Sequence, residues 1–390
     1  MTPAARVQAS IELLDLIIAA ARENGPAADT IIANWFKTRR FAGSKDRRAI
    51  RDHVYSAIRA FGMMPKTGRM AMIGLTKGDK ELAALFDGSP YGPAVIEDGE
   101  QRVARSPLAP WLGALIDLAE HEALLDRAPL DIRVNSLSTT RERMMEQFDG
   151  ALPIAGTRDG LRLPEGTAVE SSLAFRDGLI EVQDAGSQLI ADACAAQPGQ
   201  TIVDLCAGAG GKTLALAVAM RNEGRLIATD TNRDRIQRLA PRAERAGAIH
   251  VESHLLNPGA ERDVLDAFND LADVVLVDAP CSGSGTWRRN PEARWRISPD
   301  RLKTINSLQG HVLRLGARLV KPGGSMVYAV CSLIKSEGAD QIATFLSRNK
   351  DWSAERLDLP MGRPDAKGWL LSPAQDGCDG FFIARLRRSC

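Results

Sequence analysis

The stretch Ala272-Asp-Val-Val-Leu-Val-Asp278-Ala-Pro-Cys281-Ser-Gly-Ser-Gly-Thr-Trp-Arg-Arg-Asn-Pro291 decides the fold. Residues 274–277 form a short β-branched and aliphatic run closed by Asp278 and Pro280, which reads as a strand buried on both faces of a parallel sheet. Asp278, Pro280 and Cys281 then lie just past its carboxyl end, the edge at which open α/β sheets bind ligands. A carboxylate, a thiol and the glycine-rich turn 282–285 meeting there can bind, protonate and attack something small.

Around this strand the pattern is regular. A helix is expected over 187–196, a strand over 201–205, a Gly-rich turn and a helix, a strand over 226–230, and a helix from Asn232. Further strands are expected over 250–253, 273–277, 325–330 and 381–386. Strands alternating with helices imply a parallel, doubly wound α/β sheet for residues 179–390. Ahead of it, 131–137 reads as a strand and Thr139-Thr-Arg-Glu142 as a capping box opening a helix to about Phe148, so 127–178 is a small α+β module. Residues 1–126 read as all-α. Val7, Ile11, Leu14, Ile18 and Ala21 recur at helical steps, Ile31, Ile32, Trp35 and Phe36 lie on a second helix, and Ser44 is expected to cap a third carrying Ile50, Val54, Ile58 and Phe61.

With 390 residues and a net charge of +1, the chain has the composition of an ordinary soluble protein of two or three domains. No run of about eighteen apolar residues appears, and no charged segment, apolar core and cleavage site follow one another at the N-terminus, so a cytoplasmic protein without membrane contact is expected. The cysteines at 194, 206, 281, 331, 378 and 390 are scattered without C-x-x-C spacing or nearby His, so no metal is expected. A near-neutral chain can hold a polyanion only through local patches. One candidate is Lys37, Arg39, Arg40, Lys45, Arg47, Arg48, Arg51 and Arg59, which reads either as a solvated helical face or as a phosphate-binding patch.

The first turn of the large sheet is Asp204-Leu-Cys-Ala-Gly-Ala-Gly-Gly-Lys-Thr213. It lacks the phosphate-loop spacing, because Gly208 stands only three residues before Gly211, and its glycines are too tightly grouped for G-x-G-x-x-G. It still brings backbone close to a ligand at a helix N-terminus. Asp230 ends the next strand, where a carboxylate can take both hydroxyls of a ribose. A nicotinamide nucleotide and S-adenosylmethionine both offer one. Val327-Tyr-Ala-Val-Cys-Ser332 ends another buried strand, so Cys331 and Cys281 face one crevice if their strands are neighbours.

With these motifs in place, the chain resembles the Nop/Sun family of RNA (cytosine-5) methyltransferases, and within it the bacterial enzymes of 16S ribosomal RNA. The resemblance rests on Val182-Gln-Asp-Ala-Gly-Ser-Gln188, residues 204–212, Asp278-Ala-Pro-Cys281 with Arg288-Arg-Asn-Pro291, Cys331-Ser332 and Asp379-Gly-Phe-Phe382. It implies a Rossmann-like class I methyltransferase sheet, a NusB-like RNA-binding domain at the N-terminus and a small adaptor module between. It also implies S-adenosylmethionine as cofactor, held by Cys206, Ala207, Gly208, Ala209, Gly210, Gly211, Lys212, Asp230, His254 and Asp278. Cys331 is then the thiol that attacks carbon 6 of cytosine, Cys281 helps remove the carbon 5 proton, and Asp278 holds the ring edge. The chain departs from the family in Ala209 for Pro, in Val330 for Thr, and in His254, which falls where an adenine-contacting Asp is usual.

RNA is thus the expected partner, ribosomal RNA first, with the protein acting as a monomer; transfer RNA with the same chemistry, or a catalytically idle assembly factor, are the alternatives. The segment Trp287, Arg288, Arg289, Arg294, Trp295, Arg296, Arg301 and Lys303 suits phosphate contact and base stacking, or else packs its tryptophans inward. Lys212 either favours a thiolate or is purely structural.

Overall fold

A computed structural model describes residues 1–23 and 25–390, and the chain divides into two compact units. The first comprises Met1–Arg127 with Thr286–Pro299, the second Ala128–Gly285 with Asp300–Cys390. The small α+β sheet therefore lies within the second unit, and residues 286–299, inside the range expected for the methyltransferase domain, belong to the first.

The first unit is built on α1 (Pro3–Glu23), α2 (Ala28–Thr38), α3 (Ser44–Ala60) and α4 (Gly68–Leu75), followed by short helical turns. Val7, Ile11, Leu14, Ile18 and Ala21 of α1 bury with Trp35, Phe36, Ile50, Val54, Ile58 and Phe61, as their spacing predicts. The cap of α3 falls one residue earlier than expected. Gly43 is the N-cap, because the Asp46 carboxylate reaches back 3.2 Å to the Gly43 N–H and no cap side chain is needed.

Residues 286–299 correct the stacking expectation. Trp287 and Trp295 are buried, and the Trp295 indole N–H donates to Phe61 O at 2.7 Å. Three of the charged residues serve helix ends. Arg294 donates to the Ile58 and Arg59 carbonyls (2.6 and 2.8 Å), two acceptors that α3 leaves open at its C-terminus. Glu292 accepts from the Ala28 N–H (3.0 Å) at the start of α2, and Arg296 donates to Gly25 O and Pro26 O (2.8 and 2.7 Å). Burial, with the nearby Arg59 charge, pulls the Arg294 guanidinium down to about 10, still charged at neutral pH. Rings turned inward cannot stack on bases.

The second unit holds two sheets. The smaller joins β1 (Leu130–Val134), β2 (Leu152–Pro153), β3 (Gly160–Leu163) and β4 (Ile180–Val182) in the order β2-β3-β1-β4, all antiparallel, over Ile132, Val134, Met144, Phe148, Leu161 and Ile180. Its helix, Arg141–Gln147, is capped by Thr140, one residue later than the expected box begins.

The larger sheet contains β5 (Thr201–Asp204), β6 (Arg225–Asp230), β7 (Val251–Leu255), β8 (Ala272–Asp278), β9 (Val320–Val330), β10 (Trp352–Glu355), β11 (Arg363–Asp365), β12 (Gly368–Leu371) and β13 (Phe381–Arg388). The order is β11-β12-β13-β9-β8-β5-β6-β7, with β10 paired to β13. Strands β9, β8, β5, β6 and β7 are parallel, as expected. The last strand is not: β13 runs antiparallel to both β9 and β12, so the sheet is mixed. Val274, Leu276, Val327 and Ala329 enter one core and Val275, Val277, Met326 and Tyr328 the other, which is why these strands read as unbroken apolar runs. Among the described residues no helix is long and apolar enough to cross a membrane, and no group of three or more His, Cys, Asp or Glu could hold a metal ion.

Candidate active site

The parallel strands end their carboxyl edges side by side. Strands β8 and β9 are adjacent, with Asp278 opposite Ala329, so the turns that follow them bring Cys281 and Cys331 together. The sulfurs are 3.2 Å apart, and both side chains are half-buried free thiols. That separation is a thiol contact, well beyond the roughly 2.05 Å of a disulfide. The hydrogen bond to Cys331, then burial, then the charges of Cys331 and Glu337 push the Cys281 thiol well above its ordinary range.

Lys212, the second residue of the helix Gly211–Ala219, reaches the same place. Its ammonium lies 2.7 Å from Asp278 Oδ2 and 5.9 Å from the Phe381 ring centre. Burial works against that ammonium, but the Asp278 carboxylate outweighs it through charge and hydrogen bond, with Cys331 and Asp204 adding, and the Lys212 pKa is raised. Cation and thiol pair therefore share the carboxyl edge of the sheet.

The glycine loop is clamped from three sides. Asp230 accepts the Gly208 N–H on Oδ2 (2.8 Å) and the Asn232 N–H on Oδ1 (2.6 Å), which leaves each oxygen a further acceptor position. Arg242 donates to Ala209 O (2.7 Å) and is itself held by Glu181 (2.7 Å), while Gln183 donates to Gly211 O (3.3 Å). Gly210 has φ +89°, and a Cβ there would meet Leu239 Cδ1 at 2.1 Å, so any side chain at this position is strained. At Gly208 the reverse holds: a Cβ would meet nothing within 4 Å. Open space over a loop whose next strand presents an acceptor carboxylate fits a ribose-bearing cofactor.

Cys206, Ala207, Gly208, Ala209, Gly210, Gly211 and Lys212 thus lie on one turn, with Asp230 bonded to it and Asp278 bonded to Lys212. Burial first, then the charges of Asp278, Asp204 and Asp230, pushes the Cys206 thiol well up, in keeping with a packing role. His254 is the next-to-last residue of β7. It pairs across from Thr229, packs on Phe268 at 5.4 Å between ring centres, and its Nε2 has no hydrogen-bond partner; the residue facing Asp230 is Leu255.

Two motifs prove to be clips. The Asp184 carboxylate caps the helix Ala185–Ala193 and also accepts the Asp379 N–H (3.0 Å), joining the Gln183 motif to the one that begins at Asp379. Gly380 crosses Gly285 so closely that a Cβ on Gly285 would stand 1.9 Å from Gly380 O, which fixes the turn after Cys281.

Two carboxylates were given no role by sequence reasoning. Asp204 is buried and accepts from Thr213 Oγ1 (2.7 Å); burial outweighs that bond and pushes it up to about 7. Glu337, with no exposed surface, binds Ser282 and Ser332, the residues after the two cysteines. Its only signal was an acid six positions past Cys331.

Comparison with known proteins fits this geometry. The family model of 16S rRNA methyltransferase RsmB/F matches residues 191–387. The chain is 37% identical over 273 residues to the probable ribosomal RNA small subunit methyltransferase B of Synechocystis sp., a match covering 67% of this chain and 60% of that protein. The chain spans about three fifths of the length of the curated relatives it matches. Among solved structures, PH0851 superposes over 100% of this chain and 99% of its own at TM-score 0.77 and 23% identity. A methyltransferase homolog protein from Pyrococcus horikoshii covers 69% of this chain and 90% of its own, with TM-score 0.61 and 28% identity.

Proposed function

The chain belongs to the 16S rRNA methyltransferase RsmB/F family, whose cofactor is S-adenosylmethionine, and from that membership we propose that it methylates carbon 5 of a cytosine in small-subunit ribosomal RNA through a covalent adduct on Cys331. The observation that carries the reading is the pair of free thiols 3.2 Å apart beside the Lys212 to Asp278 ion pair. When bound, the cofactor would supply an electrophilic methyl group; residues 206–212, Asp230, His254 and Asp278 are the ones that would hold it.

Carbon 5 of cytosine is a poor nucleophile. Addition of the Cys331 thiolate to carbon 6 breaks the ring double bond and delivers its electron pair to carbon 5, which then takes the methyl. Asp278 hydrogen-bonds the ring edge, and the Lys212 ammonium beside it stabilises the attacking thiolate. Cys281 must afterwards take the carbon 5 proton, so that the double bond re-forms and expels Cys331. The hydrogen bond to Cys331, burial and the charges of Cys331 and Glu337 keep Cys281 a thiol in the resting pair, and formation of the neutral thioether at Cys331 removes the contributions of that partner.

The helical unit is read as the NusB-like RNA-binding domain and the small sheet as the adaptor, in a cytoplasmic protein acting as a monomer. Lys37, Arg40, Lys45, Arg47, Arg48 and Arg51 are exposed on the helical unit; Arg39 lies over Trp35, and Arg47 and Arg51 over Phe36. Arg40, Lys45 and Arg48, which lie over neither ring, are the phosphate ligands of this reading. Incubation of the protein and methyl-labelled cofactor with unmethylated 16S ribosomal RNA and with transfer RNA tests it. Label should enter the ribosomal RNA at one cytosine; entry into transfer RNA alone would reassign the substrate, and none in either would leave an idle factor.

A further inference from the structure

We propose that Glu337 is the positioning residue that holds Cys281 and Cys331 in register. Its carboxylate has no solvent exposure and accepts four hydrogen bonds: from Ser282 N (2.7 Å), Ser282 Oγ (2.5 Å), Ser332 Oγ (2.5 Å) and Gln309 Nε2 (3.1 Å). Ser282 follows Cys281 and Ser332 follows Cys331, so one anion ties together the turns that leave two adjacent strands. The lattice continues outward. Ser284 Oγ and Ser332 Oγ are 2.9 Å apart, Leu333 N–H donates to Ser284 Oγ (2.9 Å), and Gln309 also donates to Pro280 O (3.1 Å). Tyr328 donates to the Glu337 carbonyl (2.6 Å), fixing that residue's backbone beneath the site.

A buried carboxylate satisfied by four donors is rigid, and the separation of the sulfurs depends on it. Its charge also bears on Cys281. Glu337 is among the groups that disfavour a Cys281 thiolate, whereas the Lys212 ammonium interacts with Cys331. The remaining titratable groups around the thiols are Asp278, Asp204, Cys206 and Tyr328. The charge on Glu337 therefore works against a Cys281 thiolate, in keeping with Cys331 as the attacking thiol of the proposed reading.

This inference rests on the reading of the two thiols as a catalytic pair, and its test separates the two. In the whole chain, Glu337→Gln keeps the size and one acceptor oxygen but removes the charge. Its kcat for RNA methylation should fall about 10²-fold, the effect of a small misplacement of reacting groups, with KM for RNA and cofactor unchanged. A second readout needs no activity. Alkylation of Cys281 by iodoacetamide, mapped by peptide mass spectrometry in a Cys331→Ala background, should move to lower pH when Glu337→Gln is added. Wild-type kcat in Glu337→Gln overturns the proposal. So does a lowered kcat with the Cys281 alkylation profile unmoved, the signature of a merely structural residue. Should Glu337→Gln not fold, Ser332→Ala removes one donor and leaves the charge: a roughly tenfold lower kcat with an unmoved profile supports positioning, and wild-type kcat refutes it. If the unmodified chain methylates no RNA, the catalytic reading fails, while the alkylation profile still decides the role of Glu337.

Discussion

Asp230→Ala should weaken S-adenosylmethionine binding by an amount that the geometry sets. The carboxylate already holds the Gly208 and Asn232 N–H groups at 2.8 and 2.6 Å, and each oxygen retains an acceptor position for a ribose hydroxyl. Two hydrogen bonds from ligand hydroxyls to a charged acceptor contribute about 1.5–3 kcal/mol each, so roughly 3–6 kcal/mol is at stake. That corresponds to about 10²- to 10⁴-fold in Kd. The Gly208 clamp is lost as well, which loosens the loop and moves the outcome toward the upper end. Isothermal titration of the two proteins with cofactor, alongside their melting temperatures, reads the difference. A folded Asp230→Ala protein whose Kd lies within threefold of the parent would refute the assignment of this loop and strand end as the ribose site.

Three other outcomes are expected. Trp295→Ala should cost about 3–5 kcal/mol of stability in urea unfolding, as for other large buried aromatics, and leave RNA affinity of the folded protein unchanged; weaker binding with unchanged stability would restore the stacking role. Reversing Arg40, Lys45 and Arg48 to Glu should weaken RNA binding and reduce its salt slope by about 2, since each phosphate that is no longer neutralised on a single strand takes away roughly 0.7; an unaltered slope would make them a solvated face. Asp204, held up to about 7 by burial, is protonated when folded over a range in which the unfolded chain has released its proton. Its contribution to stability is therefore full below about pH 4 and lost as pH rises through 7, and Asp204→Asn should flatten the stability profile between those limits; a decline as steep as in the parent would contradict the raised pKa.

How much of this was legible depends on the kind of signal. The run 274–277 announces a strand buried on both faces, because each residue must be apolar whichever core it enters. The turn at Gly208 to Lys212 and the strand end at Asp230 are equally local, and the structure brings them together at 2.8 Å. Direction and register are not local. Residues 381–386 read the same in either orientation, and only pairing with β9 and β12 makes β13 antiparallel. A shift of one residue likewise separates His254, packed on Phe268, from Leu255, which faces Asp230. Residues 287–296 show the same blindness in charge. Arginines beside tryptophans suggest RNA, yet Arg294 answers the open carbonyls of a helix that ends at Ala60, a partner no spacing reveals. Glu337 too is one acid among many until Ser282 and Ser332 converge on it.

The account turns on the two thiols doing different things, and mixing labelled RNA and S-adenosylmethionine with single-thiol variants measures that directly. Cys331→Ala removes the first covalent step, so the protein should bind RNA and form no adduct. Cys281→Ala should still add through Cys331 and accept the methyl, then fail to lose the carbon 5 proton, so a protein–RNA complex should accumulate on a denaturing gel. The account predicts a strong shifted band for Cys281→Ala and none for Cys331→Ala or the double variant. The reverse pattern would swap the roles of two sulfurs that lie only 3.2 Å apart, and no band from any variant beside full methylation by the parent would contradict covalent catalysis itself.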